Sequence, residues 1–394
     1  MAATRDRLAL SLVVGAGIVS AFQVGKATLA LESIRLDLGV DLSAASWVLS
    51  AFAMVGALVS VLVGAVSDRI QARPTVVAGL LLQAVGSALG AMAPGLGLLL
   101  AARALEGLGF LAVTVAAPVL VVAATSPATR KQAFAAWAMF MPLGMALVLF
   151  AAPGLATLGW RGLWWANAAL LAVYALVLVS GTRDLPPTEG QGEGRHWQHG
   201  LRRVLEDRGA WWLAGQFCAY TAMFFALFGF LPTLLGERLG VGGSTAGMLS
   251  ALAVLAGAAG CLAGGMLLQR GLDAPRILRA SFATLALCSL GILALPLPGE
   301  LAYLLCVLFS FVGAFIPVAI FDAAPRLARR PGTLGSIVGL ATQGNNVGIV
   351  IGPVLAAGVA SAGSWHWVAL PLVLIALLAM HATPAGRHPL APGQ

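Results

Sequence analysis

The chain has 394 residues, of which 60% are hydrophobic and only 10% charged, a composition that no water-facing surface of a soluble protein this size accommodates. It reads as a polytopic membrane protein, with room for roughly twelve spans of about 20 residues and little length left for a soluble domain. The net charge of +8 and pI near 10.2 do not point to nucleic acid, because the bases are scattered among the turns and not gathered into a basic domain.

Helices are the expected element, since lipid offers no partners to backbone N–H and C=O groups and the apolar segments far exceed the alternating ten-residue strands of a barrel. Hydropathy places them near 8–31, 43–66, 74–93, 97–124, 131–155, 160–181, 209–235, 244–269, 275–296, 300–324, 332–360 and 364–383. The run from Leu8 is too long for the apolar core of a cleavable signal and is kept as the first helix. With the amino terminus inside, eighteen bases become cytoplasmic, and only Arg35, Arg161 and Arg238 fall on the other side. That asymmetry supports an even number of spans with both termini in the cytoplasm.

The longest polar stretch, residues 182–208, separates an N-terminal six-helix bundle (1–181) from a C-terminal one (209–394) and reads as a flexible cytoplasmic linker. Its His196 and His199 are two ligands on a mobile loop, a poor metal site. Cys218, Cys261, Cys288 and Cys306 all lie in apolar segments without metal-like spacing and read as small core residues. The halves echo one another: Gly144 and Pro153 recur 200 residues on as Gly344 and Pro353, followed by Trp164-Trp165 and by Trp365 with Trp367. Such internal symmetry is what a six-plus-six transporter produces, with its solute held where the repeats meet.

The turn Gly64-Ala-Val-Ser-Asp68-Arg69-Ile-Gln-Ala-Arg73 packs one acid and two arginines between two long apolar runs. Its spacing resembles the loop between the second and third helices of the major facilitator superfamily. Arg103-x-x-Glu106-Gly107-x-Gly109 likewise resembles the conserved-arginine motif of that family's fourth helix. The resemblance implies an all-α membrane protein of twelve transmembrane helices in two six-helix pseudo-symmetric bundles. It further implies that Gly64, Asp68, Arg69 and Arg73 form a conformational latch, and that helices one, four, seven and ten line a central cavity worked by alternating access. Lys26, Arg103 and Glu106 would then share one wall of that cavity.

Three ionisable residues well inside predicted spans, Lys26, Arg103 and Glu106, are costly if they face lipid, which makes them functional candidates. Glu106 at i+3 can pair with Arg103, structurally or as a proton carrier. Lys26, with only Glu32 as a local acid, attracts an anion, joins proton coupling or snorkels to the headgroups. The seventh helix offers Gln216 and Tyr220 to the cavity, along with several phenylalanines. In the eleventh, Gln343, Asn345 and Asn346 precede Gly348-x-x-x-Gly352-Pro353, whose glycines permit close helix packing. Those amides suit either solute binding or helix–helix hydrogen bonds. Asp322 and Arg326, at (i, i+4), read as an inner gate or structural pair.

No Gly-x-x-x-x-Gly-Lys-Ser/Thr exists, since Gly25-Lys26 is followed by Ala27 and preceded at the required position by Ser20. No hydrolase or metal motif is present either, so neither an enzyme nor a cofactor is expected. The expected activity is secondary active transport of a small anionic or carboxylate solute, proton-coupled, by a monomer in a bacterial inner membrane. The run Gln343 to Pro353 is reminiscent of permeases for small anions such as cyanate. A proton-antiporting exporter of drugs or a siderophore is the alternative, and a non-transporting membrane sensor a second one. Solute, protons and the lipid bilayer are the expected partners.

Overall fold

The computed structural model describes residues 2–40, 42–69, 71–155, 158–183, 197–328, 333–362 and 364–383. Every regular element among them is helical: α1 (Ala2–Leu38), α2 (Leu42–Arg69), α3 (Ala72–Ala91), α4 (Leu96–Ala123), α5 (Arg130–Ala138), α6 (Phe140–Leu155), α7 (Gly159–Gly181) and α8 (Trp197–Glu206). The second half holds α9 (Arg208–Phe228), α10 (Leu231–Leu239), α11 (Gly243–Gln269), α12 (Ala274–Ser289), α13 (Gly299–Gly313), α14 (Phe315–Leu327), α15 (Leu334–Ala362) and α16 (Trp365–Ala382). Twelve stretches are long and apolar enough to cross a membrane. The pair α5–α6 makes one of them, as does α13–α14, and α8 and α10 lie outside the spans. Large side chains such as Leu176, Leu287 and Val354 are about 70% exposed, as a lipid-facing surface requires.

The expected spans are present, but several are broken where sequence reading drew one continuous helix. The helices α5, α9 and α13 end at Ala138, Phe228 and Gly313, each four residues before a proline: Pro142, Pro232 and Pro317. A proline ring cannot donate to the carbonyl four residues back and collides with it, so the helix stops there and restarts. Pro296 follows the π turn Leu290–Ala294 that ends the ninth span. Residues 197–206, expected within a flexible linker, form α8, which packs on α2, α9 and α15 and buries Val204. Residues 184–196 of that linker, His196 among them, and the side chain of His199 lie outside the described residues.

Successive spans alternate in direction, so odd-numbered ones begin on a face that we call terminal, because the described chain starts there, and end on the opposite, far face. The symmetry of the two halves is visible in their packing. Gly144 of α6 presses on the Ile18 carbonyl of α1, and Gly344 of α15 presses on the Ala214 carbonyl of α9. In each half, the fifth span thus packs against the first through a glycine at an equivalent place. In the second half the contact repeats every four residues, with Gly344, Gly348 and Gly352 set against the carbonyls of Ala214, Cys218 and Ala222. Thr221 Oγ1 donates across it to the Asn345 carbonyl at 2.9 Å. Two parallel rows of small residues bring backbones together where lipid gives no hydrophobic drive for association.

On the far face, Asp37 beyond the first span ties α1 to α7. It accepts from Trp160 Nε1 at 3.1 Å and forms an ion pair with Arg161, whose other nitrogen donates to the Ala93 carbonyl at 3.0 Å. The bonds from Arg161 and then Trp160 hold the Asp37 carboxyl below its ordinary 3.8.

A carboxylate lowered in this way contributes stability above its ordinary value and loses it as pH falls through the folded one. The melting temperature of the detergent-solubilised protein should therefore drop modestly below about pH 4, and Asp37→Asn should lack that drop. For the glycine rows, Gly344→Ala puts a methyl group into the Ala214 carbonyl and is expected to lower stability by about 1–3 kcal/mol in chemical unfolding. Gly247→Ala, on α11 with open space at the Cβ position, should change nothing.

Candidate functional site

The bundle of the first half encloses a network of charged and polar side chains from four helices. Glu106 and Arg103 lie one turn apart on α4, and Arg103 Nη1 donates to Glu106 Oε2 at 2.5 Å. Lys26, from α1, donates to Glu106 Oε1 at 2.7 Å and to Ser87 Oγ of α3. Ser87 donates to the same carboxylate oxygen at 2.8 Å, and Asn167 of α7 reaches Ser87 at 3.4 Å. Arg103 Nε donates to the Val48 carbonyl of α2 at 2.9 Å. Its guanidinium lies 4.6 Å from the centre of the Phe52 ring, and the Lys26 ammonium lies 4.4 Å from that of Trp164.

Lys26 and Arg103 are 1% exposed and Glu106 is not exposed at all. Glycines make room for this. A Cβ at Gly86 would stand 2.8 Å from Glu106 Cγ, and one at Gly79 would stand 2.7 Å from the Gly109 carbonyl, so α3 and α4 meet backbone to backbone. Toward the far face, an apolar group that includes Ala27, Ile34, Val48, Leu99 and Trp164 covers the charges. Arg103 is always protonated, so it alone balances Glu106. The positive charge on Lys26 is then the surplus of the cluster.

The structure thus brings Lys26, Arg103 and Glu106 together, but inside one bundle and paired with each other, not arrayed along an open cavity wall. The acid that serves Lys26 is Glu106, eighty residues away, and its ammonium points inward, which removes the snorkelling account. Ser87, Trp164 and Asn167 escaped sequence reading, although a polar atom within an apolar span was the available signal.

The amides proposed for solute binding mostly serve helix contacts. Gln216 Nε2 donates to the Ala379 carbonyl of α16 at 3.1 Å, while its buried Oε1 has no partner within the protein. Tyr220 packs on Gly313 and on the Phe224 ring. Asn346 Nδ2 donates to the Thr342 carbonyl at 2.8 Å, and its amide group fills the space beside Gly56 of α2. Gln343 Oε1 accepts from the Val61 backbone N–H of α2 at 3.3 Å, a hydrogen bond between the halves. Asn345 is half-buried and engages Thr221 through its backbone.

From these amides to the terminal face the halves are closed on each other. Gly64 of α2 abuts the Gly335 carbonyl, and a Cβ at Gly339 would stand 2.6 Å from the Ser60 carbonyl. Lys131 of α5 donates to the Leu268 carbonyl at 2.7 Å, at the negative end of the α11 dipole. Beside it, Gln132 bonds Gln269 at 3.2 Å and Phe134 stacks on Phe321 with ring centres 6.4 Å apart. Asp322, 6% exposed, forms its ion pair with Arg326 at this seam. Of the expected latch, Gly64 takes part in the closure, while Arg73 donates to the Val179 carbonyl within its own half at 2.5 Å. The side chains of Asp68 and Arg69 lie outside the described residues.

Comparison with known proteins fits this architecture. A family model for the Major Facilitator Superfamily matches residues 13–344. The puromycin resistance protein pur8 of Streptomyces alboniger is 34% identical over 161 residues, which make up 40% of this chain and 31% of that protein. The chain therefore spans less than a third of that relative's length in the match. The human organic anion transporter MFSD10 (TETRAN) shares the fold, with a TM-score of 0.72 over 96% of this chain and 99% of its own, at 18% identity.

Removing Glu106 strands two buried bases. Glu106→Ala is expected to lower stability by about 3–5 kcal/mol, measured by chemical unfolding in detergent. The triple variant Lys26→Met, Arg103→Met, Glu106→Leu should recover most of that loss, because no buried charge is then left without a partner.

Proposed function

The chain belongs to the Major Facilitator Superfamily, a family of membrane transporters, and from that premise we propose that it is a proton-coupled exporter of amphipathic, aromatic compounds. The observation that carries this reading is that the two cations buried deep within the first half, Lys26 and Arg103, are committed to Glu106 and closed to solvent. Neither presents a charge to a small anionic solute. The helices that meet between the halves instead carry aromatic rings. Tyr220, Phe224 and Phe228, each half-buried, follow one another at 4.3–5.9 Å between centres and pack on a core that includes Phe309 and, from the first half, Phe52, Phe110, Phe140 and Trp137. Such surfaces bind flat apolar bodies with little directional demand. The match to a puromycin resistance protein points the same way.

Coupling is assigned to the surplus proton of Lys26. With that proton the cluster carries one net positive charge in an apolar interior, and without it the cluster is neutral. Gain and loss of one proton thereby favour different arrangements of the bundle, which gives alternating access its bias. The bases gathered on the terminal face support a cytoplasmic side there, and on this reading the seam from Gly56 to Lys131 is the closed cytoplasmic side.

Purified protein in liposomes with an imposed pH gradient tests the proposal. Puromycin and related aromatic cations should bind, raise the melting temperature and leave against the proton gradient, and Lys26→Met should bind puromycin yet lose the coupling. Binding of a small anion in place of puromycin, abolished by Lys26→Met and by Arg103→Met, would overturn the exporter reading in favour of anion symport.

A further inference from the structure

Gln23 of α1 is wholly buried, and neither its Nε2 nor its Oε1 has a hydrogen-bonding partner within the protein. Gln83 of α3 is also wholly buried. Its Nε2 donates to Ser20 Oγ at 3.0 Å and to the Gly79 carbonyl at 3.3 Å, while its Oε1 has no partner. These atoms have a definite place. Ser20 and Gln83 form one cross-link between α1 and α3, and Lys26 and Ser87 form the next. Three residues advance a helix by about 300°, so positions 20, 23 and 26 lie on one arc of about 120°. Gln23 therefore sits between the two cross-links, on the side of α1 from which Gln83 and Ser87 of α3 reach across and against which α4 and α7 also pack. The opposite side of α1 is taken by α6, which meets Ile18, Ala21 and Gly25.

Three orphaned amide atoms in one buried stretch are an expensive arrangement unless something polar joins them. We propose that Gln23 and Gln83 hold internal water beside these α1–α3 cross-links, and that this water accepts a hydrogen bond from the Lys26 ammonium and so stabilises the protonated, charged form of the cluster. The inference rests on the proton coupling assigned above. The amide chemistry matches a water: Gln23 Nε2 donates to it, and the two Oε1 atoms accept from it, which gives a buried water its usual two to four bonds. The Lys26 ammonium has three N–H groups, of which two go to Ser87 and Glu106 and the third donates to the water. Solvated in this way, the surplus positive charge is less costly to hold in the apolar interior. Glu106 keeps its charge throughout, balanced by Arg103. Gln23 and Gln83 are positioning residues: they orient the water and do not themselves exchange protons.

The test uses the full-length protein in liposomes, with puromycin as the probe. Replacing an unsatisfied amide in a dry site by leucine relieves a penalty and raises the melting temperature, whereas replacing one that anchors water lowers it. We expect Gln23→Leu and Gln83→Leu each to melt lower, to bind puromycin with unchanged affinity, and to lose proton-driven flux. On the unmodified protein, infrared difference spectra across the pH step should show O–H stretching bands that shift in H2(18)O. If Gln23→Leu melts higher and still moves protons, or if the native spectra contain no band sensitive to the oxygen isotope, the proposal is overturned. Lys26→Met separates the two levels. Should it abolish flux while Gln23→Leu does not, only the water site falls, and should it leave flux intact, the proton role of Lys26 falls and takes the water site with it.

Discussion

A single carboxylate shared by two bases holds the interior of the first half. Glu106 is reached by Arg103 along its own helix and by Lys26 and Ser87 from two others. Arg103 extends the grip to the Val48 carbonyl of α2, and Asn167 brings in α7. In a medium with little water to reward a broken bond, five helices joined through one anion keep their mutual positions. The demand for close approach explains the glycines at 79, 86 and 109, and the apolar covering explains how the charges stay dry. A bundle fastened at its centre moves as a body, and that is the kind of motion a six-plus-six architecture needs.

Much of this was readable from the chain. Composition and hydropathy were enough for the twelve spans, and the i, i+3 spacing was enough for the Arg103–Glu106 pair. The partner of Lys26 was not readable, because nothing in α1 says which of its faces meets α4, and the residues that would say so lie eighty positions away. The bond from Gln216 to α16 was unreadable for the same reason: its place on the seventh span suited a cavity, and its contact with the Ala379 carbonyl is decided by packing. The broken helices are a different kind of miss. Prolines 142, 232 and 317 each forbid a hydrogen bond at a definite carbonyl, yet the apolar run continues through them and hydropathy passes over the break. For Gly348 and Gly352 the spacing announced close packing, and what it left open was the partner, the row from Ala214 to Ala222 on α9.

The terminal face is closed by contacts of two kinds. On one side of the interface, Lys131 and Gln132 make directed bonds to the last turn of α11 and to Gln269. Their geometry is specific, and water can replace it readily once the face opens. Phe134 on Phe321 adds an apolar stack beside the Asp322–Arg326 pair. Together they form a rim whose components are individually weak, as the proposed alternating mechanism would require of a surface that parts and rejoins.

On the other side of the interface, α2 and α15 touch through Gly56, Gly64, Gly335 and Gly339, with the Gln343 and Asn346 amides between. The same α15 is bound to its own half by a separate row, at 344, 348 and 352, set one helix face away. A junction of backbone against backbone contains few rotatable groups, so parting it demands hardly any side-chain rearrangement, and rejoining it does not depend on finding one conformer among many. The helix that belongs to one half can lean on the other like a smooth bearing. On the proposed alternating mechanism, opening and closing would then differ mainly in surface uncovered, leaving the direction of travel to whatever the interior charge and the bound solute favour.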